Sequence, residues 1–185
     1  MNNKQEAKQK LRREIALRKK EYTLDQLKAF SEEVLSVVEI TGVFQDAKTI
    51  FIYHNLEDEV QTIDFIKRWS DKKQFYLPVV VDDDLVFRKY TSEMEFQQSS
   101  MGINEPIGID FADYKKVDLI IIPGVAFDRK KNRMGRGKGY YDRFLQKISA
   151  PKMGICFEFQ LLNDIPIDNN DIKMDYVVSE NDLIW

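Results

Sequence analysis

The run Leu119-Ile120-Ile121-Ile122, closed by Pro123-Gly124, constrains this fold more than any other stretch. An uninterrupted apolar run shows neither the alternation of a half-exposed strand nor the period of a surface helix. It reads as a strand covered on both faces, and Pro123 and Gly124 end it. The segment 48–54, KTIFIYH, is a second run of this kind. Strands buried on both faces need helical layers on each side, and the intervening segments supply helices. Thr23 and Gln26 form a capping box ahead of Leu24, Leu27, Phe30, Val34 and Val38 at helical spacing. Segment 61–72 reads as another helix, and 140–148 as one more. Segments 74–81 and 84–90 flank Asp82–Asp84 and predict a hairpin. Segments 152–159 and 174–180 read as later strands, and 91–116 as irregular. The expectation is one α/β domain over residues 1–185: a three-layer sandwich around a largely parallel sheet, with an N-terminal helical arm.

In such sheets ligands sit beyond the carboxyl ends of the strands. Two loops there carry suggestive chemistry, 54–59 and 123–142. The second contains Arg133-Met134-Gly135-Arg136-Gly137-Lys138-Gly139-Tyr140-Tyr141-Asp142, which holds three of the chain's eight glycines. Alternating glycines let successive backbone N–H groups converge on an anion. A helix start just downstream adds oriented donors, and Arg136 and Lys138 add formal charge. The plainer reading, a glycine-rich turn with solvated charges, leaves that coincidence unexplained. A Walker A loop is excluded, because Gly139 rather than Ser or Thr follows Lys138. A dinucleotide turn is excluded too, because the glycines begin far beyond the strand end at Ile122.

Charge narrows the partners. The formal net charge is −3, so no broad basic face invites nucleic acid, although arginine, glycine and tyrosine together keep an RNA-binding alternative in play. Positive charge gathers instead in residues 1–20 and 128–143, which suggests a local anionic ligand. In the first of these, Lys4, Lys8 and Arg12 share a helix face beside Leu11 and Ile15. No apolar run approaches the ~20 residues that span a bilayer, and the basic start lacks a following apolar segment. A cytoplasmic, monomeric protein with no membrane partner is expected. With one cysteine, Cys156, and one histidine, His54, an internal disulfide is impossible and a thiolate–imidazole zinc site is not expected. Cys156 reads as a small buried apolar residue.

The stretch IIPGVAFDRKKNRMGRGKGYYDRFL resembles the signature of the 5-formyltetrahydrofolate cyclo-ligase (methenyltetrahydrofolate synthetase) family. Weaker matches follow in order: KQKLR at 8–12, DEVQT at 58–62 and DIKMDYVV at 171–178. The resemblance spans nearly the whole chain. It implies ATP-dependent closure of 5-formyltetrahydrofolate to 5,10-methenyltetrahydrofolate, releasing ADP and phosphate, with Mg²⁺ as cofactor and ATP and a reduced folate as partners. By resemblance, Lys8 and Arg12 contact ATP. The span Arg133, Met134, Gly135, Arg136, Gly137, Lys138, Gly139, Tyr140 and Tyr141 wraps the phosphates. Arg136, Gly137, Lys138, Gly139 and Tyr140 also meet the folate, with Arg136, Lys138 and Tyr140 catalytic. His54 and Glu59 line the folate side, and Asp142 and Asp175 fall on magnesium positions. Segment 91–110 is the candidate loop over the folate. Two other readings stand beside this one: a nucleotide- or RNA-binding module without turnover, and an ATP-dependent ligase or kinase with another acceptor.

Overall fold

The computed structural model describes residues 3–98 and 104–185. Helices α1 (Asn3–Lys19), α2 (Leu24–Glu39) and α3 (Gly42–Asp46) lead into strand β1 (Thr49–Ile52). Helix α4 (Ile63–Trp69), the hairpin β2 (Gln74–Val81) and β3 (Asp84–Lys89), and the short strands β4 (Phe96–Gln98) and β5 (Asn104–Pro106) follow. Then come β6 (Leu119–Ile122), β7 (Ala126–Asp128), β8 (Arg133–Met134), α5 (Tyr140–Leu145) and β9 (Lys152–Ile155). Strands β10 (Leu161–Leu162), β11 (Tyr176–Val178) and β12 (Leu183–Ile184) complete the described chain.

The main sheet has the order β12-β11-β9-β6-β1-β2-β3. The five central strands are parallel, and β12 and β3 close the edges antiparallel. Both apolar runs lie inside it, paired Ile50 to Leu119 through Ile52 to Ile121. Their side chains alternate between two cores. Ile50, Ile52, Leu119 and Ile121 face one side, where Leu27, Val34 and Val38 of α2, Phe44 of α3 and Phe65 of α4 cover them. Phe51, Ile120 and Ile122 face the other, under Phe144 and Leu145 of α5 and Phe87 of β3. That is the expected layering, with two wet-averse faces and a helical cover on each. Thr23 and Gln26 exchange the reciprocal hydrogen bonds of a capping box at the start of α2. Among the described residues no helix is long and apolar enough to cross a membrane.

Two expectations need correction. Segment 91–116 is not uniformly irregular: β4 and β5 pair antiparallel, and a 3₁₀ turn covers Tyr114–Lys116. The hairpin carries no alternating apolar pattern because it packs by single contacts, such as the Phe96 ring against His54. The 123–139 loop is also more ordered than a loop: β7, β8 and β10 form a small second sheet. Its keystone is Asp128, fully buried, whose carboxylate accepts the amides of Lys130, Asn132 and Ile165 and the Asn132 side-chain amide. A buried carboxylate is tolerable when N–H donors surround it. Helix α1 lies on this sheet through Ile15, which packs with Ala126, Met134 and Ile165.

The small sheet is locked to the large one by the Phe127 ring, which lies against Gly124 and Gly154. A methyl group at Gly154 has no room beside that ring. Overpacking of this kind costs about 1–3 kcal/mol. Gly154→Ala is therefore expected to lower the melting temperature by several degrees, roughly 2–4 °C per kcal/mol for a chain of this size. Adding Phe127→Leu should recover part of the loss. Equal melting temperatures for the wild type and Gly154→Ala would contradict this packing account.

Candidate active site

Strands β6, β1 and β2 end side by side, and a cleft of about 1330 Å³ opens over their carboxyl ends. Its floor includes Pro123 and Gly124 after β6, Tyr53 and His54 after β1, and Pro78 and Val80 of β2. The glycine loop and α5 form one wall, α1 another, and the segment 168–171 a third.

Arg133 organises the glycine loop. It is 3% exposed, and its guanidinium donates to the Pro123 carbonyl (3.2 Å) and to Asp142 Oδ1 (2.9 Å). It also lies over the Tyr141 ring at 5.5 Å. One buried cation thus ties the end of β6 to the first turn of α5. Arg133 Nε has no hydrogen-bond partner among the described residues. Gly135 passes so close that a Cβ there would sit 2.9 Å from Arg133 Nη1. Gly139 takes φ of +71° as it enters α5, a conformation that disfavours side chains. Helix α5 is only six residues long, so the expected helix-dipole contribution at its start is small.

Three cations of α1, Lys8, Arg12 and Lys19, turn inward rather than toward solvent. Lys8 is buried and reaches Asp168 (2.7 Å) and Asp171. Arg12 Nε donates to the Gly135 carbonyl at 2.9 Å. Lys19, also buried, holds Asp58 at 2.9 Å. Arg136 donates to Asp58 and Glu59. Burial of Asp58 would raise its pKa, but Lys19 and Arg136 hold it below the ordinary carboxylate value. Arg136 shows the mirror effect: burial opposes its charge, yet Glu59 and Asp58 raise its pKa. Lys138 is exposed and has no ion-pair partner among the described residues.

The cleft therefore collects Lys8, Arg12, Arg133 to Tyr141, His54, Glu59 and Asp142, as the sequence reading expected. Tyr140 and Tyr141 both line it while packing partly on the core. Burial pushes the Tyr141 phenol well above its usual pKa, so it stays a neutral donor. Cys156 is buried, with its thiol pKa raised by desolvation, and plays no part.

Asp175 does not belong here. It stands at the amino end of β11, accepting the Lys152 amide, whereas the cleft lies at the carboxyl ends. Four residues earlier, Asp171 lines the cleft. The Ile172 amide beside it makes a long, 3.5 Å hydrogen bond to Asp142 Oδ1. Sequence reasoning also passed over Asp58, Asp168, Asp171, Lys19 and Glu105. Lys19 was within reach, because Lys8, Arg12, Ile15 and Lys19 continue one helix face. The acidic run 168–171 opposite a basic helix was a second usable signal.

Comparisons with known proteins agree with this geometry. The model of the 5-formyltetrahydrofolate cyclo-ligase family matches residues 4–180. The mouse 5-formyltetrahydrofolate cyclo-ligase is 32% identical over 154 residues, covering 75% of this chain and 76% of its own. The Escherichia coli K12 enzyme of that name is 31% identical over 149 residues, covering 75% and 81%. The solution structure of Aquifex aeolicus 5,10-methenyltetrahydrofolate synthetase superposes with a TM-score of 0.86 at 29% identity, covering 96% of this chain and 91% of that one.

His54 packs its ring edge-on against Phe96, 5.3 Å between centroids. Burial holds the imidazole below its ordinary pKa of 6.5, with the Asn55 backbone opposing in part. The folded chain thus resists a proton that the unfolded chain accepts. Stability is complete above about pH 6.5 and falls as pH drops through that value toward the folded pKa. A proton-NMR titration should place the His54 midpoint below 6.5. His54→Gln should show a flatter dependence of the urea midpoint between pH 7.5 and 5; a slope matching the wild type would refute the shift.

Proposed function

The chain belongs to the 5-formyltetrahydrofolate cyclo-ligase family, and on that premise we propose how its cleft performs the family's reaction. It converts 5-formyltetrahydrofolate to 5,10-methenyltetrahydrofolate at the expense of ATP. We read it as one catalytic domain acting as a cytoplasmic monomer.

A formamide carbonyl is a weak electrophile, and its oxygen is a poor leaving group. In our reading the formyl oxygen attacks the γ-phosphorus of ATP and ADP departs. The N10 nitrogen then adds to the activated carbon, and the former formyl oxygen leaves as phosphate, taking the N10 proton. Such a transfer asks for alignment and charge neutralisation rather than a covalent nucleophile. The observation that carries the reading is the unpaired Lys138, exposed in the cleft amid a glycine loop whose other cations are each anchored. Lys138 neutralises the transferring group, and the amides of Gly135, Gly137 and Gly139 hold its oxygens. Lys8 and Arg12 hold the distal phosphates. Arg136 leaves Glu59 for phosphate when ATP binds, which releases the Glu59 carboxylate toward the folate beside His54. Tyr140 and Tyr141 border the reacting formyl group.

Magnesium fits this donor set. Among the described residues no group of three His, Cys, Asp or Glu forms a protein cage. Mg²⁺ needs only one or two carboxylates when phosphate oxygens and water complete its shell. Asp142 and Asp171 each keep one oxygen without a hydrogen-bond partner among the described residues. They are the residues we assign to it, in place of Asp175. A bound magnesium ion would offset charge on the β- and γ-phosphates. The RNA-binding alternative loses ground here, because the cations line a cleft and three of them, Lys8, Arg133 and Arg136, are matched to acids.

Mixing the protein with ATP, Mg²⁺ and 5-formyltetrahydrofolate should generate the near-ultraviolet absorbance of the methenyl product. Lys138→Met should reduce kcat/KM on the order of 10²–10³-fold, a typical loss for one charge-stabilising donor, without moving the melting temperature. In the same assay Asp171→Asn should raise the Mg²⁺ requirement and Asp175→Asn should not. Folded wild-type protein that yields no absorbance would sink the assignment.

A further inference from the structure

We propose that Glu105 is a folate-recognition residue, whose carboxylate accepts N–H donors of the tetrahydropterin ring; this rests on the function proposed above. Glu105 lies on β5, which pairs with β4, and it lines the cleft although only 6% exposed. Among the described residues it has one hydrogen bond, from the Val80 amide to Oε1 at 3.3 Å. Its cationic neighbour Arg88 is committed elsewhere, to Asp110 and to the Pro106 carbonyl.

A carboxylate has room for about four donors, so most of its acceptor capacity is unused. The remaining acceptor capacity is open to a ligand that brings N–H donors into the cleft. The surroundings indicate which ligand. Pro78, Val80, Leu85 and Tyr140 give this end of the cleft apolar walls, suited to a flat ring. Polyphosphate is excluded by charge, because its anionic oxygens would meet a carboxylate that has no cation paired with it among the described residues. A reduced pterin offers what remains: an aromatic-sized ring with several N–H donors at its edge. Glu59 reaches the same cleft, but its oxygens already accept Arg136 and the Leu56 amide. Glu105 is thus the carboxylate ready for the ring before ATP arrives.

Glu105→Gln keeps an oxygen for the Val80 amide, so the hairpin stays docked, but it removes the charge and half of the acceptors. By calorimetry it should weaken binding of 5-formyltetrahydrofolate by on the order of 10- to 100-fold, the usual loss for charge-assisted hydrogen bonds. ATP affinity and melting temperature should stay within error of the wild type. Unchanged folate affinity in Glu105→Gln would overturn the proposal. Parallel losses of ATP affinity or melting temperature would also overturn it, by showing a structural role. Wild-type protein that binds no folate would overturn the proposed function as well, which separates the two failures.

Discussion

Everything at the active site depends on one buried cation. Arg133 holds the carbonyl at the end of β6 with one nitrogen and Asp142 at the start of α5 with another. The glycine loop is strung between these two anchors. Asp128 performs the matching task one turn earlier, gathering four N–H donors to shape the loop that delivers Arg133. Neither group would be tolerated in the interior without its partners. Loss of either partner set would release the loop as well as cost stability. The glycine at 135 is a consequence of the same anchor, since the backbone there crosses the guanidinium too closely for a side chain.

The second organising feature is that several cations in and beside the cleft are matched to acids. Lys8 faces Asp168 and Asp171, Lys19 faces Asp58, and Arg136 faces Asp58 and Glu59. Such pairs hold the cationic wall in place without a ligand. On the proposed function they would set up an exchange, in which incoming phosphate competes with carboxylates for Lys8 and Arg136 and frees those acids for magnesium and folate. In this account ATP and folate sites communicate through the pairs they share, and each ligand should ease binding of the other. The segregation of charge along the cleft follows the sheet. Arg133 and the glycine loop are tied to the end of β6, and Pro78 and Val80 of β2 bring apolar surface to the cleft.

Much of this was legible in the sequence, for physical reasons. The four-residue run 119–122 could only be a strand covered on both faces, and the sheet follows from it. The glycine–cation alternation at 133–139 singled out a loop that lines the cleft without any structure. What stayed hidden depends on long-range contact. Asp171 and Asp175 are equivalent to the eye, and only the parallel pairing of β11 with β9 shows that one faces the cleft and the other the opposite edge. Asp128 looked like one more charge in a basic loop. The β4–β5 hairpin left no periodic trace, because short strands held by isolated contacts carry too little pattern. Glu105 was invisible for the same reason.

The central claim is that the glycine loop is a polyphosphate cradle tied down by Arg133. The most direct test is the backbone amide spectrum of ¹⁵N-labelled protein titrated with a non-hydrolysable ATP analogue and Mg²⁺. The account predicts the largest shifts at the amides of Gly135, Gly137 and Gly139, together with the Arg133 Nε–H. Saturable binding that leaves those signals unmoved, with shifts confined to another surface, would contradict it.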